Sequence, residues 1–142
     1  MSSADEMLQS MSKIQTAKWA VYEGDERILV DDGERSIKMC NGDGTGELLL
    51  ALNGFGADII RFAAGEGVMN HTHAGDHILF VIRGTGVVEY DGIEYKLYPG
   101  LSYLVPGNVD HAIRATQNLV LIAVGNMHRS LDSNERMQPT HK

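Results

Sequence analysis

Residues 65–84 read GEGVMNHTHAGDHILFVIRG, and this stretch decides how the rest of the chain is read. Three histidines, His71, His73 and His77, fall close together just ahead of the apolar run ILFVI. On an extended strand alternate side chains share a face, so His71 and His73 point the same way. His77 keeps that parity, although Gly75 argues against one straight strand over the whole distance. A fourth histidine, His111, closes the segment PGNVDH and opens a second short β-like run, HAIRA. Imidazole is the commonest protein metal ligand. Histidines spaced i, i+2 and i+6 before a core-like strand point to a metal site rather than to side chains scattered on a solvated loop.

The whole chain agrees with one folded unit around that stretch. Its 142 residues suffice for a single domain with a real core, and 43% apolar with 22% charged residues fit a globular protein. A net charge of −7 argues against nucleic acid or an anionic membrane as partner. The opening MSSADEMLQS lacks the apolar centre of a signal peptide and no apolar run reaches membrane-spanning length, so a cytoplasmic location is expected. The one cysteine, Cys40, rules out an internal disulfide and reads as a small buried hydrophobe.

Working outward, Ser3 with Glu6 forms a helix-start pattern, and Met7, Leu8, Met11 and Ile14 share one helical face. Residues 1–16 are therefore expected to be a short N-terminal helix or arm. From residue 17 the period changes to two. AKWAVYE, RILV, SIKMC, ELLLALN, ADIIRFA, ILFVI, GVVEY, IEYKL, LSYLV, HAIRA and LVLIAVG are short strand candidates separated by Gly, Asp and Asn. Asp91-Gly92 is a two-residue hairpin signal. Many short strands and hardly any helix predict an all-β sandwich or small barrel over residues 17–128. Residues 129–142 are polar enough to read as a flexible tail.

The two histidine stretches resemble the paired motifs of the cupin superfamily. Gly65, His71, His73 and Gly84 match the first motif, and Gly100, Pro106 and His111 match the second. The resemblance spans roughly residues 45–125 and has three departures: His77 stands where the family usually has glutamate, Asn108 replaces a glycine, and Ala115 replaces the final asparagine. It implies a double-stranded β-helix, the jelly-roll barrel of a single-domain cupin, with His71, His73 and His111 as metal ligands and His77 as a fourth. Such four-histidine sites occur in some monocupin polyketide cyclases. The family default also implies a homodimer, and Ala17–Glu23 and Leu48–Leu52 are apolar edge candidates.

Four neutral imidazoles would leave a divalent cation its full charge and favour an anionic oxygen ligand. An all-imidazole set suits Zn, Fe, Ni or Cu better than Mg or Ca. The expected function is therefore that of a metal-dependent enzyme on a small oxygen-rich molecule, an enolate, catecholate or polyketide-like compound. Lewis-acid cyclisation or isomerisation competes with dioxygenase chemistry. The alternative is a non-catalytic binding or sensor domain. Leu79, Val81 and Ile113 share the inward phase of the histidines. Tyr103 and Arg61 are candidate catalytic groups, as proton donor or anion clamp, and Phe62, Met69 and Asn70 are candidate rim residues. Asp76 and Asp110 turn away by parity, and His128 and His141 read as surface residues.

Overall fold

The computed structural model of the chain describes residues 14–30, 35–40 and 42–140. The expected N-terminal helix falls largely on residues 1–13, outside the described residues, and Ile14 to Trp19 run without regular structure. Thirteen strands follow among the described residues: β1 (Ala20–Glu23), β2 (Glu26–Val30), β3 (Ile37–Lys38), β4 (Thr45–Leu52), β5 (Phe55–Phe62), β6 (Gly67–Thr72) and β7 (His77–Arg83), then β8 (Gly86–Tyr90), β9 (Ile93–Leu97), β10 (Ser102–Val105), β11 (His111–Ala115), β12 (Leu119–Gly125) and β13 (Gln138–Pro139). No helix occurs among the described residues.

The strands form two main antiparallel sheets, the arrangement expected of a jelly roll. One is ordered β10-β7-β12-β5-β4-β3 and the other β13-β6-β11-β8-β9, while β1 and β2 pair as a separate ribbon. Alternation decides what lies between the sheets. Ile60 and Phe62 of β5, Leu79 and Val81 of β7, and Leu119 and Leu121 of β12 meet Val68 of β6 and Val88 of β8 in one buried cluster. The intervening Ile59 and Val120 face outward and are covered together with Trp19, Leu49, Ile82 and Ile122. Asp91 and Gly92 both take positive φ, 49° and 83°, and close the β8–β9 hairpin at the expected two-residue turn.

β3 pairs only with Thr45 and Gly46 of β4, so the outer edge of Leu48–Leu52 has no strand partner among the described residues, and the Gln15 side chain bonds both backbone groups of Ala51 there. One expectation differs from the structure. The stretch from residue 129, polar in composition, lies across the barrel instead of running free. Leu131 and Met137 are buried in the main core, β13 pairs with β6, and Thr140 donates to Asp110. Two apolar anchors twelve residues or fewer from the last core strand are enough to lay the segment down, and an average over its polar residues hides them.

Candidate metal centre

The histidines come from both sheets. His71 near the end of β6 lies directly opposite His111, the first residue of β11, in the antiparallel register. His73 follows β6, and His77 opens β7 on the facing sheet. His71, His73 and His111 are buried, and each has a ring nitrogen within 4.8 Å of the other two. Their rings cannot be reoriented freely. Nδ1 of His71 is 2.8 Å from the carbonyl of Met69, that of His73 is 2.8 Å from Gly75, and that of His111 is 2.8 Å from Val109. A carbonyl only accepts, so each Nδ1 carries the proton and each neutral ring turns an unprotonated Nε2 inward.

Burial keeps these rings neutral. Desolvation, then the neighbouring His111, pushes His71 down to about 3. Desolvation pushes His111 down to about 4 and lowers His73 as well. The Nε2 atoms of His73 and His111 consequently face each other at 3.1 Å without a proton to share. Two lone pairs at that distance repel unless something positive lies beside them. Ligands about 2.1 Å from a common cation at right angles stand about 3.0 Å apart, so the spacing of this pair fits a first-row transition metal.

The structure gathers three of the four expected ligands into this set. His77 stands just outside it: its Nδ1 is turned towards His73 Nε2 at 3.2 Å instead of to a carbonyl. Its ring lies against β12, where a Cβ on Gly125 would come within 2.0 Å of Cδ2, so only glycine admits it. Burial and His73 together hold His77 at about 3, also neutral.

The other candidate residues separate clearly. Tyr103 faces the cavity, and burial raises its phenol far above the ordinary range, so it stays protonated. Arg61 lies on the opposite face of β5 from Asp58, Ile60 and Phe62 and is not on the cavity wall. Phe62 packs in the core and lines the cavity, Met69 is exposed, and Asn70 donates to Asp110. Asp76 accepts from the Gly107 amide, which together with Asn126 holds its carboxyl below the usual range. Leu79 and Ile113 line the cavity wall as their phase implied.

His128 is the surprise, since it is not a surface residue. Its Nε2 donates to Asp58 Oδ2 at 2.9 Å, and Arg136 Nη2 meets the same oxygen at 2.8 Å. Asp58 is 1% exposed, and all three residues line the histidine cavity. A Cβ on Gly56 would fall 2.9 Å from the His128 ring, so the bare backbone there makes the room. Asp58 left one signal in the sequence, a lone acid at an inward position of the apolar strand ADIIRF. Arg136 left none.

Residues 58–125 match the family described as Cupin domain. This stretch, just under half of the chain, resembles a cupin domain. No curated protein shows a significant match to the chain. Among solved structures, KdgF from Halomonas sp. is similar over 71% of this chain and 93% of its own, with TM-score 0.63 and 20% identity. An RmlC-like cupin from Shewanella frigidimarina is similar over 82% of this chain and 97% of its own, with TM-score 0.62 and 21% identity. Salicylate 1,2-dioxygenase from Pseudoaminobacter salicylatoxidans, bound to gentisate, aligns over 58% of this chain but only 25% of its own, with TM-score 0.56 and 19% identity. These likenesses establish the shared fold.

Proposed function

We propose that this chain is a metal-dependent enzyme acting on a small oxygen-rich carbonyl compound, through enolisation, isomerisation or a related Lewis-acid reaction. The observation that carries the reading is the 3.1 Å approach of two unprotonated Nε2 atoms, with a third neutral imidazole beside them. A divalent Zn, Fe, Ni or Cu ion held by His71, His73 and His111 would supply a Lewis acid with positions left for oxygen. His77 belongs to the proposal as a fourth, outer donor, close enough to join the set if its ring turns. The protein's own part is to hold three rings in a fixed tautomer, to leave charge uncancelled, and to exclude bulk water.

Size narrows the ligand. The cavity encloses about 60 Å³, space for a few water-sized groups and well below the several hundred Å³ of a pocket for drug-sized ligands. Its wall is largely apolar, with Ile60, Val68, Leu79 and Val105. A ligand of a few heavy atoms suits it better than one of polyketide size. A homodimer remains part of the proposal: Ile78, Phe80 and Leu104 stay exposed on the outer face of the first sheet, and size-exclusion chromatography with light scattering tests it.

Elemental analysis with a chelator-competition titration tests the metal reading. One transition metal per chain is expected, with affinity falling at least about 10-fold in His111→Ala and less in His77→Ala. Substoichiometric metal in the wild type, or a His111→Ala affinity equal to it, would remove the basis for this function.

A further inference from the structure

The strand register places one polar group at each end of a single rung on the inner face of the first sheet. Asp58 pairs with Ala123, Ala123 with Leu79, and Leu79 with Tyr103. Three strand intervals put the backbones of Asp58 and Tyr103 about 14 Å apart, on opposite flanks of the cavity they both line. Of the two residues between them, Leu79 is large and Ala123 is small, so the rung is low on the side next to Asp58. His77, two residues before Leu79, lies one rung further along the same face.

Asp58 is held by one oxygen only. Oδ2 receives both His128 and Arg136, whereas Oδ1 is buried and has no hydrogen-bond partner. The Tyr103 hydroxyl is likewise buried and without a partner. A buried carboxylate oxygen left unmet is costly, and native proteins rarely tolerate one without a use. Here the unmet acceptor and the unmet donor belong to the same cavity as the unprotonated histidine nitrogens. The group that completes them comes from whatever occupies that space: a proton on one side and an oxygen on the other.

We propose that Asp58 is a catalytic residue of this site, and that its Oδ1 takes the proton from the carbon beside the carbonyl of a small α-hydroxycarbonyl compound. The inference rests on the metal-dependent reading above. Glutamate, the residue that His77 replaces in the family pattern, is thus compensated by a carboxylate from another strand. In the step, the C–H bond breaks and its electron pair forms the C=C bond of an enediolate. The carbonyl π pair moves onto oxygen on the side of the histidine cluster, and the proton rests on Oδ1. Asp58 returns that proton to the neighbouring carbon while the hydroxyl proton passes between the two oxygens. The isomeric hydroxycarbonyl forms with no oxidant or reductant. Arg136 and His128 are positioning residues, which fix Oδ2 so that Oδ1 faces the cavity. Tyr103 offers its O–H to the ligand's oxygen.

Hydroxyacetone in D2O is the probe, with the zinc-loaded full chain and proton NMR of its CH2 signal. Zinc stoichiometry is measured first, so a failure of the metal reading shows before any exchange is followed. The wild type should accelerate deuterium exchange over buffer containing zinc. Asp58→Asn should slow it at least about 100-fold, the range of a lost general base. Zinc stoichiometry and calorimetric hydroxyacetone affinity should stay within about threefold, which separates chemistry from binding. The Asp58→Asn/Arg136→Gln pair, which removes both charges, gives a second variant if the single one folds poorly, and the same loss is expected. A zinc-loaded wild type that does not exchange, or a folded Asp58 variant that exchanges at the wild-type rate, overturns the proposal.

Discussion

Replacing Arg136 with methionine should destabilise the chain far more than a change in a polar tail ordinarily does. The guanidinium meets Asp58 Oδ2 at 2.8 Å, with side chains 11% and 2% exposed. Its Nη1 also donates to the Arg129 carbonyl at 2.8 Å. Methionine keeps an apolar stem beside Met137 but leaves the carboxylate of Asp58 buried with one hydrogen bond, from His128. Breaking a buried ion pair on one side costs about 3–5 kcal/mol. His128 still donates and Arg136 is not wholly enclosed, so about 3 kcal/mol is the expected loss. For a chain of this length that lowers Tm by about 10 °C, readable by circular dichroism and by the urea midpoint. The penalty comes from an uncompensated charge, so adding Asp58→Asn to Arg136→Met should recover at least about 1 kcal/mol. A single variant within about 0.5 kcal/mol of wild type, the span of an ordinary surface change, would refute the burial argument. So would a double variant no more stable than the single one.

Gly125→Ala should displace His77 and destabilise by about 1–3 kcal/mol, because the new Cβ would meet the Asp76 carbonyl as well as the ring, and the carbonyl cannot swing aside. Thermal melting and the His77 ring signals in NMR check it, and an unmoved His77 with a wild-type Tm would count against the packing. In the metal-free chain, stability should be level above about pH 6.5 and fall on acidification. Below that value the unfolded state binds protons that the folded His71 and His111 refuse until about 3 and about 4. Each ring weakens the fold by up to about 1.4 kcal/mol per pH unit inside that window. Urea midpoints at pH 7.5, 6 and 5 measure it, and a flat series would show that the rings are not buried neutral.

What the sequence disclosed and what it withheld divide along a physical line. His71, His73 and His111 were legible because local spacing and strand parity set which way they point, and the turn signals around Gly65 and Pro106 frame them. The same logic placed Leu79, Val81 and the Asp91-Gly92 hairpin. His77 shows where that logic stops: its position follows from the spacing, but its ring direction depends on β12 having no side chain at Gly125. Asp58 is partnered 70 and 78 residues away, with His128 and Arg136. No local period reports contacts across that distance. Arg61, in the same strand, is a catalytic candidate from the sequence, yet one-residue alternation puts it on the outer face.

The site therefore has two poles of different origin. The matched domain, residues 58–125, supplies the histidines, Tyr103 and Asp58, whereas Arg136 and His128 come from beyond it. A carboxylate alone beside the cavity would repel the negative charge that grows on a ligand's oxygen as its proton leaves. Paired with Arg136, Asp58 adds little net charge to the wall while Oδ1 keeps its lone pairs for the proton. The neutral imidazoles add none, so on the proposed reading charge developing on a ligand would be met by the bound cation and not opposed by the protein. A proton acceptor that is charged, yet electrically balanced from outside the reacting space, is the arrangement that proton transfer next to a carbonyl requires. In this chain the balance depends on a polar-looking segment staying down, and Leu131 and Met137 are what hold it there.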